Sequence, residues 1–435
     1  MKKKILSLIG TGLLSLSLAG CSSVGLSVDK LMHPPKAVGD KAEIQTLIDS
    51  VAGEGYTLKY PQSGSYRSAI TMKDIDSDSE EEAIAFYLPQ GDIATVHMLV
   101  MDNIDEKWQS VGNFKSQSTA VESLNFCDLD GNGLLEIVTS WKTFTANVNQ
   151  LSYCIYEENK TREVPCEYTA SSILWGDFTE ENGDELMLLS LASTETQASA
   201  TLLDLNENKS ELTLTGTTEL NADVASYASL QVGNVFENQV GAVIDGCTLT
   251  GEYTTQLLYF NSYFDSLERI SFTEDVVYNQ KLRSYPVMSE DVNNDSVIEV
   301  PSAFKHKIEK DRTDVAAAAD LYWCQQTQSG TVLLIKRETA SFAYGFTFEI
   351  PKSWDFEFTA LTNHDTGEVT FYKWEKDMCS SPMLTFRIFD KEKAESTTGY
   401  TVLQETDTRI YTYITYEDTD LNLKESEIKN AFALM

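Results

Sequence analysis

An acidic segment repeats along the chain, and its period constrains the fold more than any other feature of the sequence. Aspartate or asparagine alternates with other residues in the segments that begin at Asp74, Asp128, Asp177, Asn234 and Asp291. Neighbouring segments begin 54, 49, 57 and 57 residues apart. An apolar run of strand length follows each segment, and two further strand-like runs follow that one. Because a unit of this size cannot bury its own hydrophobic faces, the units must stack against one another.

Four strands in each repeat of about 50 residues predict a β-propeller of five blades. A β-solenoid or an open array of sheets is the alternative, but short strands joined by tight turns favour the propeller. A helix is predicted at 41–52, leading into the first repeat, because Ile44, Leu47, Ile48 and Val51 share one helical face.

The sequence pattern changes after residue 341. Residues 342–435 predict strand pairs and a final helix that carries Ile428, Phe432 and Met435 on one face. The segment GFTFEIPKSW at 345–354 resembles the start of PsbP/Mog1-like domains. The predicted fold class is therefore mainly β, with a five-repeat β-propeller at 41–341 followed by a small α+β domain at 342–435.

The N-terminus has the pattern of a secretory signal peptide. Three lysines at positions 2–4 precede an apolar run at 5–18, which is too short to cross a bilayer as a helix. The following sequence, LAGC, resembles the lipobox of bacterial lipoproteins, which implies cleavage before Cys21 and a lipid on its thiol. The alternative is an ordinary signal peptide with a chance cysteine. We expect residues 1–20 to be removed and residues 21–40 to tether the protein to the extracellular face of the cell membrane.

The acidic segments have the donor chemistry of a calcium loop. Side-chain oxygens recur at positions 1, 3, 5 and 9, and Ca²⁺ takes six to eight oxygen ligands. Over about residues 56–340 the pattern resembles the calcium loops of FG-GAP/VCBS repeats, as in integrin α-subunit propellers. That resemblance implies three Ca²⁺ sites, whose ligands are Asp74, Asp76, Asp78 and Glu82; Asp128, Asp130, Asn132 and Glu136; and Asp291, Asn293, Asp295 and Glu299. The alternative is that these side chains only cap turns by accepting backbone N–H groups.

The third and fourth segments depart from this pattern. Thr179 occupies position 3 of the third segment, and Phe236 and Ala242 occupy positions 3 and 9 of the fourth. We expect no metal in the fourth segment. The third segment departs from the metal-binding pattern at position 3, so the resemblance does not assign it a site. An EF-hand is excluded throughout, because position 12 is never acidic in the three complete copies and strand patterns follow them.

The sequence contains no recognisable catalytic constellation. It has four histidines without a zinc motif, and it lacks GxSxG and phosphate-loop sequences. Besides Cys21 there are six cysteines, none in a CxxC pair. Cys154 and Cys166 could face each other in a predicted hairpin, but a domain of this size does not need bridges, which favours buried free thiols.

Charge and organisation together predict a function. The net charge of −34 opposes binding to nucleic acid and attracts cations. We predict a non-catalytic, monomeric extracellular lipoprotein whose calcium-stabilised propeller is a binding platform for a protein or glycan partner. The alternatives are a structural spacer of the cell envelope and an enzyme acting on polysaccharides.

Overall fold

The protein is described by a computed structural model that covers residues 39–164, 166–181, 183–206, 208, 210–270, 282–354, 356–393, 396–416 and 423–435. The predicted signal peptide, the lipid acceptor Cys21 and nearly all of the predicted tether lie outside the described residues. None of the helices in the described ranges is both long and apolar enough to cross a membrane.

Strands dominate the described chain and form six antiparallel sheets. Sheet one contains β1 (Thr57–Lys59), β2 (Ile70–Lys73), β3 (Glu82–Leu88), β4 (His97–Ile104) and β5 (Lys107–Lys115). Sheet two contains β6 (Val121–Cys127), β7 (Glu136–Lys142), β8 (Asn149–Glu157), β9 (Lys160–Val164) and β10 (Thr169–Ala170). Sheet three contains β11 (Ser172–Gly176), β12 (Glu185–Ser190), β13 (Ser199–Leu205) and β14 (Leu212–Glu219). Sheet four contains β15 (Val224–Phe236), β16 (Gln239–Thr248), β17 (Tyr253–Asn261) and β18 (Ser266–Arg269).

The remaining strands form sheets five and six. Sheet five contains β19 (Val300–Lys305), β21 (Ala319–Gln326), β22 (Val332–Ser341), β23 (Phe346–Glu349) and β29 (Phe432–Leu434). Sheet six contains β20 (Ala316–Ala317), β24 (Phe358–Asn363), β25 (Glu368–Glu375), β26 (Met378–Asp390), β27 (Thr401–Glu405) and β28 (Arg409–Thr415). The helices are α1 (Asp40–Ala52), a short 3₁₀ helix (Lys391–Lys393) and α2 (Glu425–Ala431).

Sheets one to four each have the strand order of a propeller blade, in which four strand positions follow the order of the chain. In sheet two, β9 and β10 share the last position, since both pair with β8. In sheet one, β1 and β2 share the position of the first strand, since both pair with β3. The second strands β3, β7 and β12 are buried on both faces, because each lies within a stack of sheets. The predicted mainly β fold, a propeller followed by a small α+β domain, is confirmed.

Hydrophobic clusters join each sheet to the next one in the chain. Between sheets one and two, the rings of Phe86 and Trp141 meet edge to face with centroids 5.6 Å apart. Similar clusters lie between sheets two and three, three and four, and four and five. The other face of sheet one is covered by α1, whose Ile44 and Ile48 pack on Ala83 and Ala85. Within the described ranges, no cluster joins sheet one to sheet five.

The C-terminal domain is connected to the fifth sheet by strand pairing. The predicted boundary after residue 341 falls between β22 and β23, which pair with each other, and β29 extends the same sheet. A strand from the fifth repeat also joins sheet six. In the chain β20 lies between β19 and β21 of sheet five, but it pairs with β24 of sheet six. The predicted final helix is wrong beyond Ala431, because Phe432 pairs with Phe348 as a strand instead of continuing α2.

Candidate functional site

The acidic segments lie at one face of the propeller. The first three join the first and second strands of their sheets, the fourth lies at the end of β15, and the fifth precedes β19, the first strand of sheet five. In three loops, carboxylate oxygens converge to within 4.8 Å of one another. These groups are Asp74, Asp76 and Asp78; Asp128, Asp130 and Glu136; and Asp291, Asp295 and Glu299. We call them loops one, two and five.

The other three predicted ligands have hydrogen-bond partners inside the same loops. Glu82 accepts the backbone N–H of Ile75 at 2.8 Å. The side-chain amides of Asn132 and Asn293 donate to Asp130 and Asp295 at 3.0 and 2.9 Å. The structure therefore brings nine of the twelve predicted ligands into three carboxylate groups and places the other three in contact with the loops.

The three loops share one pattern of backbone capping. The side chain at position 3 accepts a hydrogen bond from the backbone N–H of position 5. In the same way, the side chain at position 1 accepts from the N–H of position 6, and the side chain at position 5 accepts from the N–H of position 7. The nine bonds measure 2.7–3.2 Å. Positions 4 and 6 have positive φ in every copy, which suits Gly131 and Gly133 of loop two better than the serine side chains of loop one. The predicted turn-capping interaction therefore exists, and an ionised carboxylate keeps further lone pairs for a cation.

A buried glutamate closes each loop at position 9. Glu82, Glu136, Glu185 and Glu299 are almost fully buried, and each accepts the N–H of position 2 at 2.7–2.8 Å. The pKa of Glu82 is raised to about 7, mainly by burial and also by the nearby charges of Asp76 and Asp102, while the bond from Ile75 lowers it. This glutamate therefore braces the loop from beneath through its bond to the backbone.

The loops of neighbouring sheets are bonded to one another through their backbones. The N–H of Leu135 donates to the carbonyl of Ile75 at 2.8 Å, linking loop two to loop one. Asp184 donates in the same way to Asp128 at 2.7 Å. Between sheets four and five, Ile298 donates to Asn234 at 2.9 Å. All three donors lie at position 8 of their segment, so the repeat also sets how neighbouring sheets are held at this face.

The third and fourth segments have different structures. In the third, the hydroxyl of Thr179 donates to Glu185, so a side chain inside the loop already occupies that carboxylate. In the fourth, β15 and β16 are joined by a hairpin turn at Glu237 and Asn238, where no acidic loop is formed.

The donor set of loop one fits a cation better than that of loop five. One carboxylate oxygen of Asp74, Oδ1, is buried without a hydrogen-bond partner among the described residues. In loop five, by contrast, the amide of Gln325 donates to Asp295 at 2.8 Å and to Glu299 at 2.7 Å. Two of the converging carboxylates of loop five are thus partly satisfied by the protein itself.

The described histidines and cysteines contribute to packing. His97 lies within 3.3 Å of the Tyr87 hydroxyl and packs against its ring. His306 is buried beside Thr339 and Phe358, and burial lowers its pKa to about 4. The six described cysteines are free thiols, including Cys154 and Cys166.

A polar cavity of about 480 Å³ opens where the first strands of sheets two, three and four converge. It is bounded by residues 63–65, 122–125, 171–175 and 225–230, so four sheets contribute to it. We call it the axial cavity. Eight serines and three asparagines line it: Ser63, Ser65, Ser123, Ser140, Ser171, Ser172, Ser226, Ser229, Asn125, Asn147 and Asn149.

The axial cavity lies on the face opposite the acidic loops. Its lining residues come from the beginnings of β6, β11 and β15 and from the end of β7, whereas the acidic loops lie at the other ends of these strands. On the same face, loops between second and third strands expose one large apolar side chain each at Ile93, Phe144 and Leu249, which are 84%, 89% and 93% exposed.

A second groove lies beside the C-terminal domain. It has a volume of about 540 Å³ and is lined by Asp291 and Trp323 of the fifth repeat and by Leu434 and Met435 from the chain terminus. The sequence did not predict the lining residues of either cavity. The recoverable signal was a run of small polar residues at the start of the first strands, as in Ser171–Ser172 and around Tyr227.

The chain has distant similarities to solved structures. No family model matches the chain, and no curated protein matches it. A solved structure of a protein from Lactobacillus plantarum is similar at 10% identity and a TM-score of 0.31, covering 74% of this chain and 85% of that one. The exotype rhamnogalacturonan lyase YesX is similar at 10% identity and a TM-score of 0.28, covering 73% and 72%. The Dos1 propeller is similar at 11% identity and a TM-score of 0.29, covering 82% and 80%.

Proposed function

We propose that the protein is a non-catalytic binding module on the extracellular face of the cell membrane, anchored by a lipid on Cys21. Its propeller holds a macromolecular partner at the axial cavity. The observation that carries this proposal is the cavity itself, because four successive sheets contribute polar side chains to one open site. A rigid stack of sheets supports such a site with little loss of conformational entropy on binding.

Calcium has a supporting role in this proposal. The carboxylates of loops one, two and five would hold Ca²⁺ on the opposite face, together with Glu82, Asn132 and Asn293. The bound ion would neutralise the clustered charge and stiffen the loops. The orphaned Oδ1 of Asp74 and the all-oxygen donor sets support this assignment.

Capture of the partner from the native envelope tests the binding function. Full-length protein, solubilised with its anchor in mild detergent, is immobilised with and without Ca²⁺, and retained protein and glycan are both identified. We expect a partner that the wild type retains and the Asn125→Leu variant, altered in the cavity wall, retains far less. Retention of nothing at low salt would contradict the proposal and favour the envelope spacer.

The membrane anchor is tested separately. Cys21→Ala removes the thiol that would carry the lipid, so we expect the variant to leave the membrane fraction. Cys379→Ala, which removes a free cysteine of the C-terminal domain, is the matched control and should stay with the membrane. Equal partitioning of Cys21→Ala and wild type would show that the lipobox interpretation is wrong.

A further inference from the structure

We propose that the ligand of the axial cavity is a neutral oligosaccharide. This inference rests on the proposed binding function and names the ligand class of the same site. It follows from three properties of the cavity wall, namely its hydrogen-bonding groups, its charge and its aromatic side chains.

The hydrogen-bonding groups of the wall are hydroxyls and amides. Ser123, Asn125 and Ser140 are buried on neighbouring strands of sheet two, where their side chains line the cavity. A hydroxyl both donates and accepts, and an amide presents one acceptor and two donors. Sugar hydroxyls also donate and accept, so a dense set of such groups suits a polyhydroxylated ligand better than an apolar one.

The charge of the wall excludes an anionic ligand. Among the described lining residues none is Lys or Arg, and the lining carboxylate of Glu122 pairs with Lys142 at 2.9 Å. An acidic polysaccharide or a phosphorylated ligand would enter without a cation to neutralise it, on a chain whose net charge is −34. A neutral ligand meets no such penalty.

Two aromatic side chains, Trp175 and Tyr227, also line the cavity and are half-buried. Such rings combine a broad apolar face with a polar edge, which suits the C–H face and the hydroxyls of a sugar. The Tyr227 hydroxyl is buried without a hydrogen-bond partner in the described structure. The ring of Tyr227 also packs against the core between sheets three and four, which fixes its position at the cavity wall.

The test uses full-length protein in detergent on an array of immobilised oligosaccharides. The array carries neutral hexose and N-acetylhexosamine oligomers, with uronic-acid oligomers and unmodified peptides as comparators. We expect saturable retention by a neutral oligomer, and titration calorimetry with that oligomer then measures the affinity of the variants.

Two variants alter the cavity in different ways. Asn125→Leu keeps the branched shape of the side chain and removes the amide, and we expect about tenfold weaker binding, the effect of losing one or two hydrogen bonds. Ser226→Trp places an indole at the exposed mouth, and we expect at least a roughly hundredfold loss by steric exclusion. Ser110→Trp, at an exposed serine of β5 away from the cavity, is the matched control and should bind like the wild type.

The outcomes separate this inference from the proposed function. Retention of only acidic oligomers or peptides, unchanged affinity in both Asn125→Leu and Ser226→Trp, or an array without any bound member would overturn the oligosaccharide assignment. If envelope capture nevertheless returns a protein whose retention depends on Asn125, the binding function stands and the ligand class is wrong. If both experiments return nothing, both proposals fail.

Discussion

The two faces of the propeller use polar residues in opposite ways. On the acidic-loop face, the carboxylates accept backbone N–H groups of their own loops, as Glu136 does from Leu129. On the cavity face, Ser140 and Asn125 line an open space. Strand β7 begins at Glu136 and carries Ser140 near its other end, so a single strand joins the two environments.

This difference assigns separate roles to charge and to hydroxyl groups. The acidic face satisfies most of its polar groups internally and retains negative charge, so its natural ligand is a cation that stabilises the fold. The opposite face carries little charge in its cavity and presents groups that can exchange hydrogen bonds with a ligand. Stability is therefore expected to depend on the first face and recognition on the second.

The sharpest test of this comparison uses the two ends of β7. Glu136→Ala leaves the N–H of Leu129 without its acceptor in a buried loop, so we expect the free energy of unfolding to fall by about 3 kcal/mol. Ser140→Ala should change it by less than about 1 kcal/mol. Urea denaturation in excess chelator measures both, and equal effects would break the comparison.

A second prediction concerns the fifth sheet, where the C-terminal domain covers the loop between β19 and β21. His306 is buried there, and burial lowers its pKa from 6.5 to about 4. Below pH 6.5 the unfolded chain binds a proton that the folded protein excludes, so stability falls as the pH drops from about 6.5 to 4.

The expected loss is at most about 3 kcal/mol. His306→Gln keeps a donor for Thr339 but does not titrate, so the variant should lack this part of the acid sensitivity. Unfolding is measured for both proteins at several pH values between 4 and 7. If the free energy of unfolding of the wild type depends on pH in the same way as that of the variant, the folded protein does not exclude a proton from His306.

The third prediction compares the acidic loops with one another. Ca²⁺ at one hundred times its dissociation constant should raise the free energy of unfolding by about 2.7 kcal/mol for each site that it occupies. Asp74→Asn should remove more of this gain than Asp291→Asn, because Gln325 already satisfies two carboxylates of loop five. Differential scanning calorimetry measures the melting temperature of each protein with Ca²⁺ and with chelator. Melting temperatures that are the same in both conditions would leave turn capping as the only role of the loops.

The smallest expected effect concerns the apolar loop tips of the cavity face. Phe144→Ser and Leu249→Ser replace side chains that are 89% and 93% exposed, so we expect each to change stability by less than about 0.5 kcal/mol. Chemical denaturation measures this. A larger loss would mean that these loops pack against the protein, and that the cavity face is less open than its geometry indicates.

Much of the acidic face could be predicted because it depends on short-range rules. Alternating carboxylates, a strand on each side and a period near 50 residues suffice to place Asp74, Asp128 and Asp291 in equivalent loops. The cavity could not be predicted in this way, since Asn125 and Tyr227 lie 102 residues apart and meet only when their sheets stack. Serine and asparagine at strand ends carry no periodic signal that distinguishes a ligand site from a solvated turn.

The sequence by itself determined the β class, the number of repeats and the position of every acidic loop, because hydrophobic alternation and turn chemistry act between residues close in the chain. Only the tertiary structure decided that α1 covers the free face of sheet one and that Phe432 leaves its helix pattern to pair with Phe348. It also decided that four sheets contribute to one open polar cavity. These outcomes depend on which surfaces remain unpaired after the sheets have stacked, and local preferences are too weak to encode that choice.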